Sequence, residues 1–269
     1  MSQPGRTIRL RLSYDGAGFH GWQVQPGLPT VQAALVRAVA EVTGENVEVH
    51  GSGRTDAGVH ALGQVAHLRL ERSTIPAPNL ARALNTRLPR SLRVLEASEA
   101  VPDFHSRRDA VSKLYRYRIY RGEVCPPFLR RYVTHHPYPL NEEAMRQAAP
   151  GFVGEHDFRS FAAAPDKRSP PLLSTVRTVL RSEVERHGDE LVYEVEGKGF
   201  LHHMVRNLVG YLLEVGRGAR RAEDIPAVLA ARSRRAAGPT AAAAGLYLVR
   251  VDYDEEARHG DLANETDKE

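Results

Sequence analysis

The sequence predicts an α+β fold of two ferredoxin-like α/β domains with mainly antiparallel sheets, on three observations. Segments of period two alternate with segments of helical period along the chain. The order strand, helix, strand, strand, helix, strand occurs twice, the second time with one extra helix. A length of 269 residues with 42% hydrophobic content suffices to bury a substantial core.

The first element is TIRLRLSYDG, where Ile8, Leu10, Leu12 and Tyr14 alternate with Arg9, Arg11 and Ser13 as in a half-buried strand. A helix follows, with Thr30 as N-cap, Val31, Leu35, Val39 and Val42 at helical spacing, and Gly44 as the stop. A short strand is expected over Val47 to Val49, then the glycine-punctuated turn GSGRTDAG, then a strand from Gln64 to Leu70. A helix near Asn79 to Leu88 and a strand near Val94 complete the first half.

The second half opens with the alternating strand Lys113 to Arg121. Asn141 caps a helix whose Glu142 and Glu143 lie near its positive end. Two strands joined at His187-Gly188-Asp189 read as a hairpin. An amphipathic helix from Leu201 to Val215 carries Leu201, Val205, Leu208 and Leu212 on one face. A helix from Ile225 to Ala231 and the strand GLYLVRVDY finish the half. The boundary is expected near Pro102 to Ala110, giving domains 1–105 and 106–253 and a polar tail, 254–269. The Ala- and Pro-rich stretch 162–174 reads as a long loop.

Formal net charge is +4 and the isoelectric point about 9.3, with most basic residues arginine, whose planar fork suits phosphate. The single cysteine, Cys125, excludes an internal disulfide and a cysteine-based metal site. MSQPGRTIRLRL lacks the apolar run of a signal peptide, and no stretch approaches the roughly 18 apolar residues of a membrane span. A soluble, cytoplasmic protein is expected.

The chemistry centres on GSGRTDAGVHALGQ. An Asp in a glycine-flanked turn ordinarily bonds its own backbone, and that is the plain reading of Asp56. Gly51, Gly53 and Gly58, however, permit unusual backbone shapes and let a ligand come close, and Arg54 can converge with Asp56 around the turn. An arginine that near keeps a carboxylate ionised at neutral pH, which suits a nucleophile or base rather than a general acid. The run lacks the third glycine of a dinucleotide fingerprint and opens no helix, and no Walker A sequence occurs. The twelve histidines include the adjacent pairs His135-His136 and His202-His203, but no H-E-x-x-H or Cys/His metal spacing. No G-x-S-x-G elbow occurs, although a Ser-His-Asp triad stays open from sequence.

In KLYRYRIYR, Lys113, Tyr115 and Tyr117 share one face and Arg116, Arg118 and Tyr120 the other. Such interleaving can stack bases and hold phosphates, or can be an amphipathic strand with buried tyrosines and a basic outer face. Arg206 falls within an otherwise apolar helix, so it either snorkels to water or has a carboxylate partner.

Together YDGAGFHGWQ, GRTDAGVHALGQV, DFHSRRDAVSKLYRYRIY, GFLHHMVRNLVG and GLYLVRVDY resemble the TruA family of tRNA pseudouridine synthases, in that family's order. The resemblance implies a two-domain fold with the active-site cleft between the domains, no cofactor and no metal. It places the catalytic aspartate on Asp56 and, on Arg54, the arginine that pairs with it and helps displace the target base. The tyrosine that packs on that base falls on Tyr115, the arginine that bridges to the aspartate on Arg206, and a wall of the uracil pocket on Leu246. Ser106 stands where the family usually has alanine, Leu114 is at a variable position, and 162–174 carries no family motif. The implied partners are tRNA, modified at anticodon-arm positions 38, 39 and 40, and a second copy of the chain in a homodimer.

The pairs Arg107-Arg108, Arg130-Arg131 and Arg220-Arg221 and the stretch Arg232 to Arg235, with Lys113, are candidates for holding tRNA phosphates. Two rivals compete. A non-catalytic RNA-binding module is suggested by Lys198-Gly199-Phe200, which matches the start of an RNP1 run but fails at Leu201 and His202. An Asp-dependent N-glycosidase would break the same glycosidic bond and leave free uracil and an abasic site.

Overall fold

The computed structural model describes residues 5–163 and 174–254. In chain order the first elements are β1 (Arg6–Tyr14), α1 (Val31–Thr43), β2 (His50–Gly51), β3 (His60–Leu70), α2 (Ala77–Arg87) and β4 (Leu92–Ala100). There follow β5 (Ala110–Tyr120), β6 (Thr134–His135), α3 (Glu142–Ala148), β7 (Gly154–Asp157), β8 (Val176–His187) and β9 (Glu190–Gly197). The chain continues through α4 (Met204–Gly216), α5 (Ile225–Ala230) and β10 (Leu246–Tyr253). The tail from residue 255, and 164–173 of the expected long loop, lie outside the described residues. No helix among the described residues is long and apolar enough to cross a membrane.

The chain forms two compact units, residues 5–111 with 248–254 and the described part of 112–247. In the first, β1 is antiparallel to β3 on one side and to β4 on the other, and the strand order is β4-β1-β3-β10. The alternation read from sequence holds: Ile8, Leu10 and Leu12 are sealed and Tyr14 is 4% exposed. Thr30 accepts the Ala33 amide (3.3 Å), and Gly44 closes α1 in the left-handed region at φ 71°. This unit reaches past the expected boundary at 105 because the His105 ring packs on His67 and Ser106 bonds back to His67 and His50. It also takes the outer part of β10, which lies beside β3.

Residues 47–49 form no strand. Pairing falls instead at His50↔His67 and Gly51↔Ala66, while the Val49 carbonyl accepts from the Gln32 side chain (2.8 Å). β3 begins at His60, four residues before Gln64, because Gly63 interrupts the alternation that would have revealed it. Its missing side chain has a use: a Cβ there would lie 2.5 Å from the Val249 carbonyl oxygen on β10.

In the second unit the order is β5-β9-β8-β7, each neighbour antiparallel, with β6 parallel to β5. The β8–β9 turn is Gly188-Asp189, with Gly188 at φ 56° as a two-residue hairpin requires. Tyr117, Tyr193, Tyr211, Phe152, Phe158 and Phe161 fill the core. Asn141 caps α3 through the Ala144 amide (2.9 Å). α4 starts at Met204 rather than Leu201 because His203 adopts a left-handed conformation, φ 61°, which no helix can include. The face expected for that helix is the buried one: Leu201, Val205, Leu208 and Leu212 are at most 6% exposed.

Candidate active site

Asp56 and Arg54 lie in the irregular chain between β2 and β3, Asp56 half-buried and Arg54 exposed. Irregular backbone has no ladder to hold it, so its polar groups must be satisfied by side chains or neighbouring loops. Here a buried network does so. Gln64, fully buried on β3, accepts from the Ser52 hydroxyl (2.6 Å) and donates to the Gly53 carbonyl (3.0 Å) and the Tyr14 oxygen (3.4 Å). The Tyr14 and Thr55 hydroxyls are 2.8 Å apart. Burial pushes the Tyr14 hydroxyl up to about 12, against smaller opposing effects of its bonds to Thr55 and Gln64, so it stays protonated.

The segment after β1 clamps the other side of this turn. The Trp22 amide donates to the Thr55 carbonyl (3.0 Å), and the Gly58 amide to the Phe19 carbonyl (3.3 Å). Two glycines allow that approach. A Cβ on Gly16 would lie 1.9 Å from the Val59 oxygen, and one on Gly21, already at φ 85°, would lie 2.6 Å from the Thr55 oxygen. The Gly16 amide donates to His60 Nδ1 (3.1 Å), whose ring is 3.3 Å from Asp15. Gly58, at φ 80°, turns the chain into β3. YDGAGFHGW and GSGRTDAG are thus one structural device, with Asp56 at its centre. Sequence reasoning assigned no task to Tyr14, Gly16, Gly21, Trp22 or Gln64, although the glycine pattern before Trp22 was the available signal.

The second unit holds Tyr115, Arg206 and Leu246. Tyr115 is 7% exposed on β5, edge-on to Phe200 with ring centres 5.0 Å apart. Arg206, on the first turn of α4, is half-buried. Its Nε donates to the Ala241 carbonyl (2.8 Å), and its own carbonyl accepts from the Ala241 amide (3.0 Å). The next residue ties the same segment to β5, since the Tyr117 hydroxyl donates to the Ala242 carbonyl (2.9 Å). Leu246 follows at the start of β10 and is 5% exposed. Helix and crossing segment meet closely because Gly210 lacks a side chain: a Cβ there would sit 1.8 Å from the Pro239 oxygen.

Asn207, unflagged by sequence, is fully buried beside Arg206. It donates to the Phe161 carbonyl (2.6 Å) and accepts from Arg234 (2.8 Å) and Thr240 (2.6 Å). An amide among apolar helix residues was its only signal.

The basic candidates divide. Arg116 and Arg118, imagined holding phosphates, are instead engaged across the sheet, with Glu194 (2.7 Å) and Glu190 (2.6 Å). Arg234 braces Asn207, Arg232 pairs with Asp157 (2.9 Å), and Arg220 lies over the Tyr211 ring at 5.2 Å. Arg221 is within 3.4 Å of Asp224, and Lys113 is only 8% exposed. Arg107, Arg108, Arg130 and Arg131 are exposed. Lys198-Gly199-Phe200 follow the end of β9 rather than lying within a strand, which removes the structural basis of an RNP1 reading.

The comparisons agree on one family. A model for tRNA pseudouridine synthases matches residues 12–107 and 148–254. The chain is 53% identical over 248 residues to tRNA pseudouridine synthase A of Solibacter usitatus, covering 92% of this chain and 100% of that one. It is 48% identical over 257 residues to the protein of the same name from Limosilactobacillus fermentum, covering 93% of this chain and 96% of that one. For that of Moorella thermoacetica the identity is 47% over 248 residues, covering 91% of this chain and 99% of the relative. With the family model matched over two stretches that take in most of the chain, and its relatives spanned almost end to end, this chain belongs to the tRNA pseudouridine synthase family.

Proposed function

We propose that this protein converts uridine to pseudouridine at positions 38, 39 and 40 in the anticodon arm of tRNA, with Asp56 as its catalytic carboxylate. As a member of its family it is an isomerase acting on tRNA. The observation that carries the assignment is the turn 51–59, in which buried Gln64, Tyr14 and Thr55 and two side-chain-free contacts serve to present one carboxylate. Building such irregular backbone into a protein is typical of functional sites.

The reaction breaks the uridine N1–C1′ bond, turns the uracil, and joins C5 to C1′. The proton on C5 is lost and N1 gains one, so no electrons enter or leave. A carboxylate beside the ribose can attack C1′, or remove the 2′ proton to give a glycal; addition to C6 is a third route. The target base must leave its stack, at about a few kcal/mol. Arg54 fills the vacated space, Tyr115 stacks on the released uracil, worth about 1–3 kcal/mol, and Leu246 lines the pocket. Arg206, whose Nε donates to the Ala241 carbonyl, supplies a compensating positive charge. Exposed arginines hold phosphates, so binding weakens with salt. The active species is a cytoplasmic homodimer.

Position is tested by incubating unmodified tRNA transcripts bearing uridine at 38, 39 or 40 alone, then mapping pseudouridine chemically. Modification at those sites, by a species sedimenting as a dimer, is the expected result. Pseudouridine elsewhere in the tRNA overturns the positional assignment.

A further inference from the structure

Between β4 and β5 the chain makes a turn, residues 104–109, whose backbone is bonded by unusual partners. Each of five successive amides, from His105 to Asp109, has an acceptor, with Arg107 and Arg108 sharing one lone pair. His105 N donates to Asp109 Oδ2 (2.7 Å) and Asp109 N to the His105 carbonyl (3.1 Å). The three between them donate to imidazole nitrogens: Ser106 N to His67 Nδ1 (3.2 Å), and Arg107 N and Arg108 N to His105 Nδ1 (3.2 and 3.3 Å). The rings themselves cluster, His67 4.7 Å from His105 and 5.0 Å from His50, between centres. Ser106, fully buried, donates its hydroxyl to the His50 carbonyl (2.9 Å), and the Tyr253 hydroxyl donates to the Ser106 carbonyl (2.6 Å).

On the outside of this turn stand Arg107 and Arg108. Both are exposed, and neither makes an ion pair among the described residues, in contrast to Arg116 and Arg118. The turn's own amides are consumed inward, so an approaching anion meets two adjacent guanidinium groups rather than a backbone nest. We propose that Arg107 and Arg108 form a phosphodiester clamp for the tRNA backbone, and that His67 and His105 are positioning residues which hold the clamp by accepting its backbone amides.

The clamp rests on the tRNA-modifying reading above. A nitrogen that accepts an amide carries no proton, so His105 accepts as a neutral ring. His67 Nδ1, which also lies 3.0 Å from the Ser106 hydroxyl, accepts the Ser106 amide in the neutral tautomer protonated at Nε2. The surroundings favour that state. Burial, then the neighbouring rings of His105 and His50 and the charge of Arg108, hold His67 down to about 4 against the opposing pull of Asp109. His105 is lowered by burial and by Arg108 and His50, again against Asp109. Glu48 lies 3.3 Å from the outer ring, His50.

The test compares tRNA binding by Arg107→Ala/Arg108→Ala, His105→Leu and His105→Asn, the last keeping an acceptor near the Nδ1 position. Losing two phosphate contacts raises Kd about tenfold and lowers the salt slope by about two. His105→Leu is expected to match the double arginine variant, to add nothing in its background, and to be rescued in His105→Asn. Wild-type Kd and slope in the arginine variant overturn the clamp. Additive loss by His105→Leu, or failure of His105→Asn to rescue, overturns the positioning role. Wild-type protein that modifies tRNA during these outcomes leaves the activity reading standing; wild-type protein that neither binds nor modifies tRNA removes both.

Discussion

The turn that carries Asp56 and the helix that carries Arg206 orient a charged side chain by opposite means. Around Asp56 there is no regular structure, and the backbone is held by Gln64, Tyr14, Thr55, the Trp22 amide and two glycine contacts. Around Arg206 the helix ladder supplies the rigidity, and the segment 239–242 crosses it and accepts from the guanidinium. The first arrangement spreads the task over many residues that serve little else. The second borrows a helix that the core needs anyway. Damage to the turn's supports should therefore fall on catalysis, and damage to the helix's supports on stability.

The largest effect expected from that contrast is in Gly16→Ala. Its Cβ would meet the Val59 backbone at 1.9 Å, so the turn must move, and a displacement of about 1 Å lowers turnover about a hundredfold. Steady-state kinetics on tRNA checks this, and turnover near wild type would break the contrast. Gln64→Leu removes the side-chain donor of the Gly53 carbonyl and the acceptor of the Ser52 hydroxyl, about 2 kcal/mol by denaturant unfolding, with turnover down roughly tenfold. Asn207→Leu takes the side-chain donor from the Phe161 carbonyl and the shared acceptor from Arg234 and Thr240, so it should destabilise by about 2–3 kcal/mol and leave turnover of the folded protein within a few-fold. Equal losses of turnover in these two variants would erase the distinction between the regions.

The smallest effect concerns alkaline pH. Tyr14 and Tyr117 are both raised, chiefly by burial, from 10 to about 12. The folded state thus keeps protons that the unfolded chain releases. Their contribution is complete below pH 10 and is lost as pH rises from 10 to 12. Unfolding measured across that window should show stability falling, and Tyr14→Phe should flatten the fall.

Much of this was legible in the sequence where one residue type serves one local purpose. Thr30 and Asn141 announced their helices as caps, Gly188 its hairpin, and Ile8, Leu10 and Leu12 their buried face. What escaped were long-range relations. Nothing local to Val47–Val49 shows that the ladder starts at His50, and nothing in GLYLVRVDY shows that its strand lies beside β3. Arg116 and Arg118 looked like free charges because their carboxylates lie some seventy residues away, on β9. Asp56 and Arg206 were visible through their motifs, whereas Gln64 and Asn207, which brace the surrounding backbone, are ordinary residues until the fold supplies their partners.

The most direct test of the account is tritium release from tRNA labelled at uridine C5, comparing wild type with Asp56→Asn, a change that removes the charge and keeps the size. The account predicts release by the wild type, with pseudouridine mapped to the anticodon arm. It predicts release by the variant lower by at least about a thousandfold, since the proposed reaction uses the carboxylate at the ribose, with tRNA affinity within a few-fold. Release by Asp56→Asn within a few-fold of wild type would contradict it.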